Sequence, residues 1–121
     1  MSIEAYKQFV DDLVARASGV EARRVLESTA WPDTPENTDL NKFLASLDSG
    51  QREILAQLLQ HTREGGMHDV LAYLQEQSDD GNFQLVNCGT ALPHDPFNSP
   101  LYYDWLCRLE GDEWPKVEDE T

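Results

Sequence analysis

Apolar residues recur at helical spacing along most of the chain. Ile3, Tyr6, Val10, Leu13, Val14 and Ala17 fall on one face of a first helix, with Ser2 as its candidate cap and Gly19 as its stop. A short second helix is expected over 20–28 with Val25 and Leu26 inward, before Pro32, Pro35 and Asn37 impose a loop. Leu40, Phe43, Leu44 and Leu47 then mark one apolar stripe. Asp48 with Gln51, or Ser49 alone, can cap a core helix carrying Ile54, Leu55, Leu58 and Leu59, which the paired Gly65 and Gly66 are expected to end. Met67, Val70, Leu71 and Leu74 share a face of a further helix that stops at "SDDG".

The period changes beyond Gly81. "NFQLVNCG" is too short for a helix and carries turn residues, so one short strand or extended segment is expected near 82–88. Ser99 as cap and Pro100 in first position open a last helix that runs to about Glu110, with Leu101, Trp105, Leu106 and Leu109 inward and Gly111 closing it. These elements predict an all-α or nearly all-α bundle of five to six helices, with residues 1–111 as a single helical domain and 112–121 as an acidic C-terminal tail.

Composition fits one folded domain, since 40% of the 121 residues are hydrophobic. The net charge of −14 is unevenly spread: residues 61–121 hold 13 acids against 3 bases, whereas residues 1–60 hold 10 against 6. Such a surface repels phosphates and steers basic partners, so direct nucleic-acid binding is not expected and a basic protein partner is. With no long apolar run and no basic segment leading an apolar signal core, the expected location is cytoplasmic, away from any membrane. Cys88 and Cys107 are then expected to be free thiols.

Candidate chemistry centres on the sequence pairs His68-Asp69 and His94-Asp95. Neighbours on a helix do not face each other, so His68 and Asp69 read as first-turn residues that complement the helix dipole. Pro93 and Pro96 place His94 and Asp95 in a tight turn, where the carboxylate is expected to bond local amides. His61, His68 and His94 lack the spacing of a metal-ligand pair, Cys88 lacks a nucleophile signature, and "EGGMHD" lacks the residues of a phosphate loop. No catalytic residue, metal ligand or cofactor is assigned on this pattern. A small metal-dependent or hydrolytic enzyme would need His68, His94 and Cys88 to converge in the fold.

Recognition is the stronger use of residues 92–115. Tyr103 and Trp114 beside Asp104, Glu110, Asp112 and Glu113 compose apolar anchors within an acidic rim, suited to a positively charged partner. The competing expectation is that Trp114 and Pro115 fold back on the core as a closing staple. "GGMHDVLAYLQ" followed by "LPHDPFNSPLYYDWLCRLEGDEWP" resembles a group of small acidic bacterial proteins known only as a domain of unknown function, chiefly over residues 65–115. That resemblance implies a bacterial cytosolic protein and carries no catalytic residues. The functional expectation is a small acidic protein-binding module, of inhibitor or immunity type, that covers a basic surface. A self-associating adaptor, forming a homodimer through an exposed stripe of the first helix, is the other non-enzymatic expectation.

Overall fold

A computed structural model describes residues 2–116, so the part of the acidic tail from residue 117 lies outside the described residues. The elements are α1 (Ile3–Ala15), α2 (Val20–Leu26), a 3-10 turn (Pro35–Asn37), α3 (Thr38–Ala45), α4 (Ser49–Asp79), strands β1 (Val86–Asn87) and β2 (Thr90–Ala91), and α5 (Leu101–Leu109). The protein is mostly helical, with one small antiparallel sheet. It divides into two compact units, one built from the chain up to Ala17 and from Gly66 onward, the other from Ser18–Gly65.

In the first unit α1 packs along α5. Ser2 caps α1 as its sequence suggests, its Oγ accepting the Ala5 N–H at 3.0 Å. Tyr6, Val10, Ala17, Leu71, Leu101 and Trp105 form the buried core, and Leu13, Val14, Met67, Leu74, Leu106 and Leu109 pack around it. The inward faces of α1 and α5 are therefore those the periodicity marks. The extended segment near 82–88 is half of a hairpin whose second strand the alternation did not reveal. Val86 pairs with Ala91 and Asn87 with Thr90, joined by Cys88 (φ 50°) and Gly89 (φ 81°). Positive φ at both central residues is the two-residue hairpin turn that matches strand twist.

The second unit encloses a smaller core of Ala22, Val25, Leu44 and Ala56, flanked by Trp31, Leu47, Leu55 and Leu59. Arg52 of α4 fastens it: its guanidinium donates to the carbonyl of Val25 at 3.2 Å and to that of Leu44. Both carbonyls lie in last turns, of α2 and α3, where helix ends leave acceptors unsatisfied and favour a cation. Asn41 locks the loop before the 3-10 turn, accepting from Trp31 N–H at 2.9 Å and donating to the Trp31 carbonyl at 3.1 Å. Asp48 and Gln51 form the expected reciprocal box at the start of α4: Gln51 N–H donates to Asp48 at 2.8 Å, and Asp48 N–H to Gln51 at 3.0 Å.

Three expectations are corrected. Leu26, Leu40, Phe43, Ile54, Leu58 and Val70 are exposed rather than buried. In the part of α4 before Gly65 the buried residue is Ala56, and Ile54 and Leu58, two positions to either side of it, are rotated about 200° away. Secondly, Gly65 and Gly66 do not stop a helix; they lie inside the continuous α4, and neither has positive φ. A glycine weakens a helix by only about 1 kcal/mol, which the packed residues Leu55 and Leu59 before the pair and Met67 and Leu71 after it outweigh. His68 is consequently a mid-helix residue, not a first-turn one. Thirdly, Ser99 does not cap α5. Its hydroxyl donates to Asp104 at 2.5 Å, and the capping position is Pro100.

A Cβ added at Gly65 or Gly66 would meet nothing within 4 Å. Gly65→Ala or Gly66→Ala should therefore raise stability in urea unfolding by about 0.5–1 kcal/mol. A loss of stability from either would show that the helix breaks there.

Candidate functional site

Three segments of the first unit meet around one cleft of about 320 Å³. The end of α4 brings Leu74, Gln75 and Ser78, the hairpin flanks bring Phe83, Leu85 and Leu92, and the proline-bracketed turn brings His94 and Asp95, with Tyr6 of α1 and Leu101 of α5 completing the wall. Gly81 (φ 76°) lets the chain leave α4 toward the hairpin: its N–H bonds the Ser78 carbonyl, and the Asn82 N–H bonds that of Gln77. The volume and the mixture of apolar wall with a few convergent polar groups are those of a small-ligand site.

Gln75 organises the polar edge. It is only 6% exposed, and its Oε1 accepts the Leu101 N–H at 2.7 Å, the first amide of α5. Its Nε2 donates to Asp79 and to Asp95, each at 2.8 Å. These two bonds use both hydrogens of the amide. His94 Nε2 lies 2.6 Å from Asp79 Oδ1 and 3.7 Å from Asp95 Oδ1. A carboxylate has no proton to give, so the imidazole Nε2–H is the donor to Asp79. Asp79, His94 and Asp95 present ligand atoms within 4.8 Å of one another, and among the described residues they are the set able to hold a metal ion. The same geometry suits an organic cation, whose head would meet two carboxylates while its stem lay on Leu74, Leu85 and Phe83.

Below this edge a second polar network is buried. Asp104 is 4% exposed and accepts from the Tyr6 hydroxyl and from Ser99. Burial pushes the Asp104 carboxyl above its ordinary range, against the pull of the bonds from Ser99 and Tyr6. Burial, reinforced by the bond to Asp104, also pushes the Tyr6 phenol far up. At the other end of α5, burial works against the charge of Asp11, but hydrogen bonds from Arg108 and Trp114 outweigh it and hold this carboxyl low. Arg108 donates to both Asp11 oxygens, at 2.8 and 3.2 Å.

The expected acidic aromatic rim divides on this geometry. Tyr103, Glu110, Asp112 and Glu113 are exposed. Asp104 turns inward, one position from Tyr103 but a full 100° around the helix, and is a core residue rather than a rim acid. Trp114 is half-buried: its ring stacks on Phe97 with centroids 5.3 Å apart, lies under the Arg108 guanidinium, and donates its Nε1–H to Asp11 at 3.3 Å. This is the staple arrangement for Trp114, while Pro115 stays exposed. His94 lines the cleft, but Cys88 is exposed at the hairpin turn and His68 packs edge-on against Tyr102 with centroids 5.0 Å apart. Neither His68 nor Cys88 lines the cleft, so His68, His94 and Cys88 are not assembled there. The Asp95 carboxylate also departs from expectation, since it accepts from Gln75.

Gln75 and Asp79 had a legible signal that the motif reading passed over. Gln75 follows Leu71 by four residues and Asp79 by eight, so the apolar stripe of α4 continues as a polar one. The link from Tyr6 to Asp104 spans 98 positions, and no spacing in a single sequence announces it.

Fold and cleft together define a mostly helical acidic protein with a ligand-sized cleft edged by two carboxylates and a histidine. The chain belongs to DUF6547, a family of unknown function whose model matches residues 1–116. No curated protein and no solved structure matches it. No helix among the described residues is long and apolar enough to cross a membrane.

Because the Asp104 pKa is raised on folding, the native chain holds this proton longer than the unfolded chain. The stability it confers is full below the ordinary value near 3.8 and is lost as pH rises through the raised one. Urea unfolding of Asp104→Asn, which stays neutral, should therefore shift in favour of the variant relative to wild type as pH rises from about 3 to 7. A shift in favour of wild type would contradict the burial argument.

Proposed function

We propose that this chain is a cytosolic protein-binding module that receives a basic segment of a partner protein on its acidic unit, in the manner of an inhibitor covering a basic surface. The cleft carries the reading: Asp79 and Asp95 stand at the edge of an apolar recess, the surroundings that a lysine or arginine side chain needs for its head and its stem. Charge supports it. The residues up to Ala17 and from Gly66 onward contain 15 of the 23 acids and 4 of the 9 bases, net −11. Tyr103, Glu110, Asp112 and Glu113 are further exposed contacts available to such a partner, whereas Asp104 and Trp114 act through the core. Long-range attraction of this kind raises the association rate and weakens with salt.

A fluorescent peptide bearing one arginine between neutral residues tests the cleft. Binding by anisotropy should weaken about tenfold in Asp79→Asn/Asp95→Asn and on raising salt from 50 to 500 mM, while Asp33→Asn/Glu36→Gln, an equal change of charge in the other unit, leaves it intact. Binding that ignores both salt and the cleft substitutions would refute the reading.

A further inference from the structure

We infer that the unit formed by Ser18–Gly65 is a self-association surface on which a second copy of this chain docks through the groove between α2 and α4. This surface is separate from the cleft and does not depend on the proposed partner. The groove encloses about 690 Å³ and is lined by Ala22, Arg23, Leu26, Glu53, Ile54 and Ala56, among others. Its floor is made of small side chains, which let another helix approach closely. Its walls carry aliphatic groups left in solvent: Leu26 is 54% exposed and Ile54 69%. Leu58, one turn on from Ile54 and outside the groove lining, extends this apolar surface at 60% exposed. Of the eleven large hydrophobic residues that stand exposed among the described residues, six belong to this unit: Val20, Leu26, Leu40, Phe43, Ile54 and Leu58. Such a concentration marks an interaction surface.

Charge selects the occupant. Two copies that met through their acidic units would bring together net charges of −11 each, whereas Ser18–Gly65 holds 8 acids and 5 bases, net −3. The groove is also self-complementary. Arg23 stands on its α2 wall and Glu53 on its α4 wall, so a two-fold axis running along the groove faces the α2 wall of one protomer with the partner's α4 wall and pairs the two opposite charges in both directions. The Arg23 side chain is 64% exposed, and its ion pair with Glu27 at 4.0 Å is a loose contact across one turn at the end of α2. A uniformly basic or uniformly acidic helix would satisfy only one of the two, whereas the same surface turned on itself carries the opposite charge for each.

Sedimentation equilibrium of the full chain over about 1–200 µM should show a monomer–dimer equilibrium. Ile54→Glu and Leu58→Glu, placed in solvent in the isolated chain, should keep the helical circular dichroism while raising the dissociation constant by about tenfold or more, because each places a charge in the dehydrated contact. Arg23→Glu should weaken the dimer, and adding Glu53→Arg should restore it. A chain that stays monomeric over the whole range, a dimer indifferent to Ile54→Glu and Leu58→Glu, or a charge swap that fails to restore pairing would each overturn the inference.

Discussion

The amide of Gln75 is the point on which the cleft depends. One buried side chain uses three of its hydrogen-bonding positions at once: its carbonyl takes the first N–H of α5, and its two N–H groups hold Asp79 and Asp95 side by side. Two carboxylates do not share a small space unaided, because each disfavours the charge of the other. Gln75 supplies positive dipole to both, and His94 adds an N–H to Asp79. The buried N–H at the start of α5 would otherwise cost about 1–3 kcal/mol, since Pro100 and Ser99 provide no side-chain cap. The fold and the acidic edge are thus fixed by the same group.

The long helix α4 plays this part twice. Its Arg52 closes the C-terminal carbonyls of α2 and α3 in one unit, as its Gln75 closes the N-terminal amide of α5 in the other. Each choice follows the chemistry of helix ends: a cation where carbonyls are left over, a carbonyl where an amide is. Cores as small as Ala22, Val25, Leu44 and Ala56 contribute limited hydrophobic stabilisation, so polar fastening from a single long element matters more here than in a larger domain.

Much of the fold could be read from the sequence because its signals are local. The caps at Ser2 and Asp48, the stop at Gly81 and the inward face of α5 all depend on residues within four positions of one another. What could not be read depends on balance or on distance. Gly65 and Gly66 look like a stop because each weakens a helix, but whether packing outweighs that is decided by other segments. Leu26, Ile54 and Leu58 look like core residues because they are aliphatic, yet the small inward positions Ala22 and Ala56 take the core side and leave them outside. The cleft joins Gln75 and Asp79 to His94 and Asp95 from about 15 to 20 positions further on, so the turn and the polar stripe of α4 were each legible and their meeting was not.

The acid edge has meaning for function only if Gln75 holds it as described. Urea unfolding of Gln75→Glu at pH 7 and at about pH 4 tests that directly, because the substitution keeps the size and the acceptor for Leu101 while removing both N–H donors and adding a third carboxylate. Burial at position 75 and two adjacent carboxylates raise the pKa of the added group, so the lost stability, about 2 kcal/mol or more at pH 7, should be regained as pH falls and that group takes up a proton. A loss of the same size at both pH values, or none at pH 7, would contradict the account.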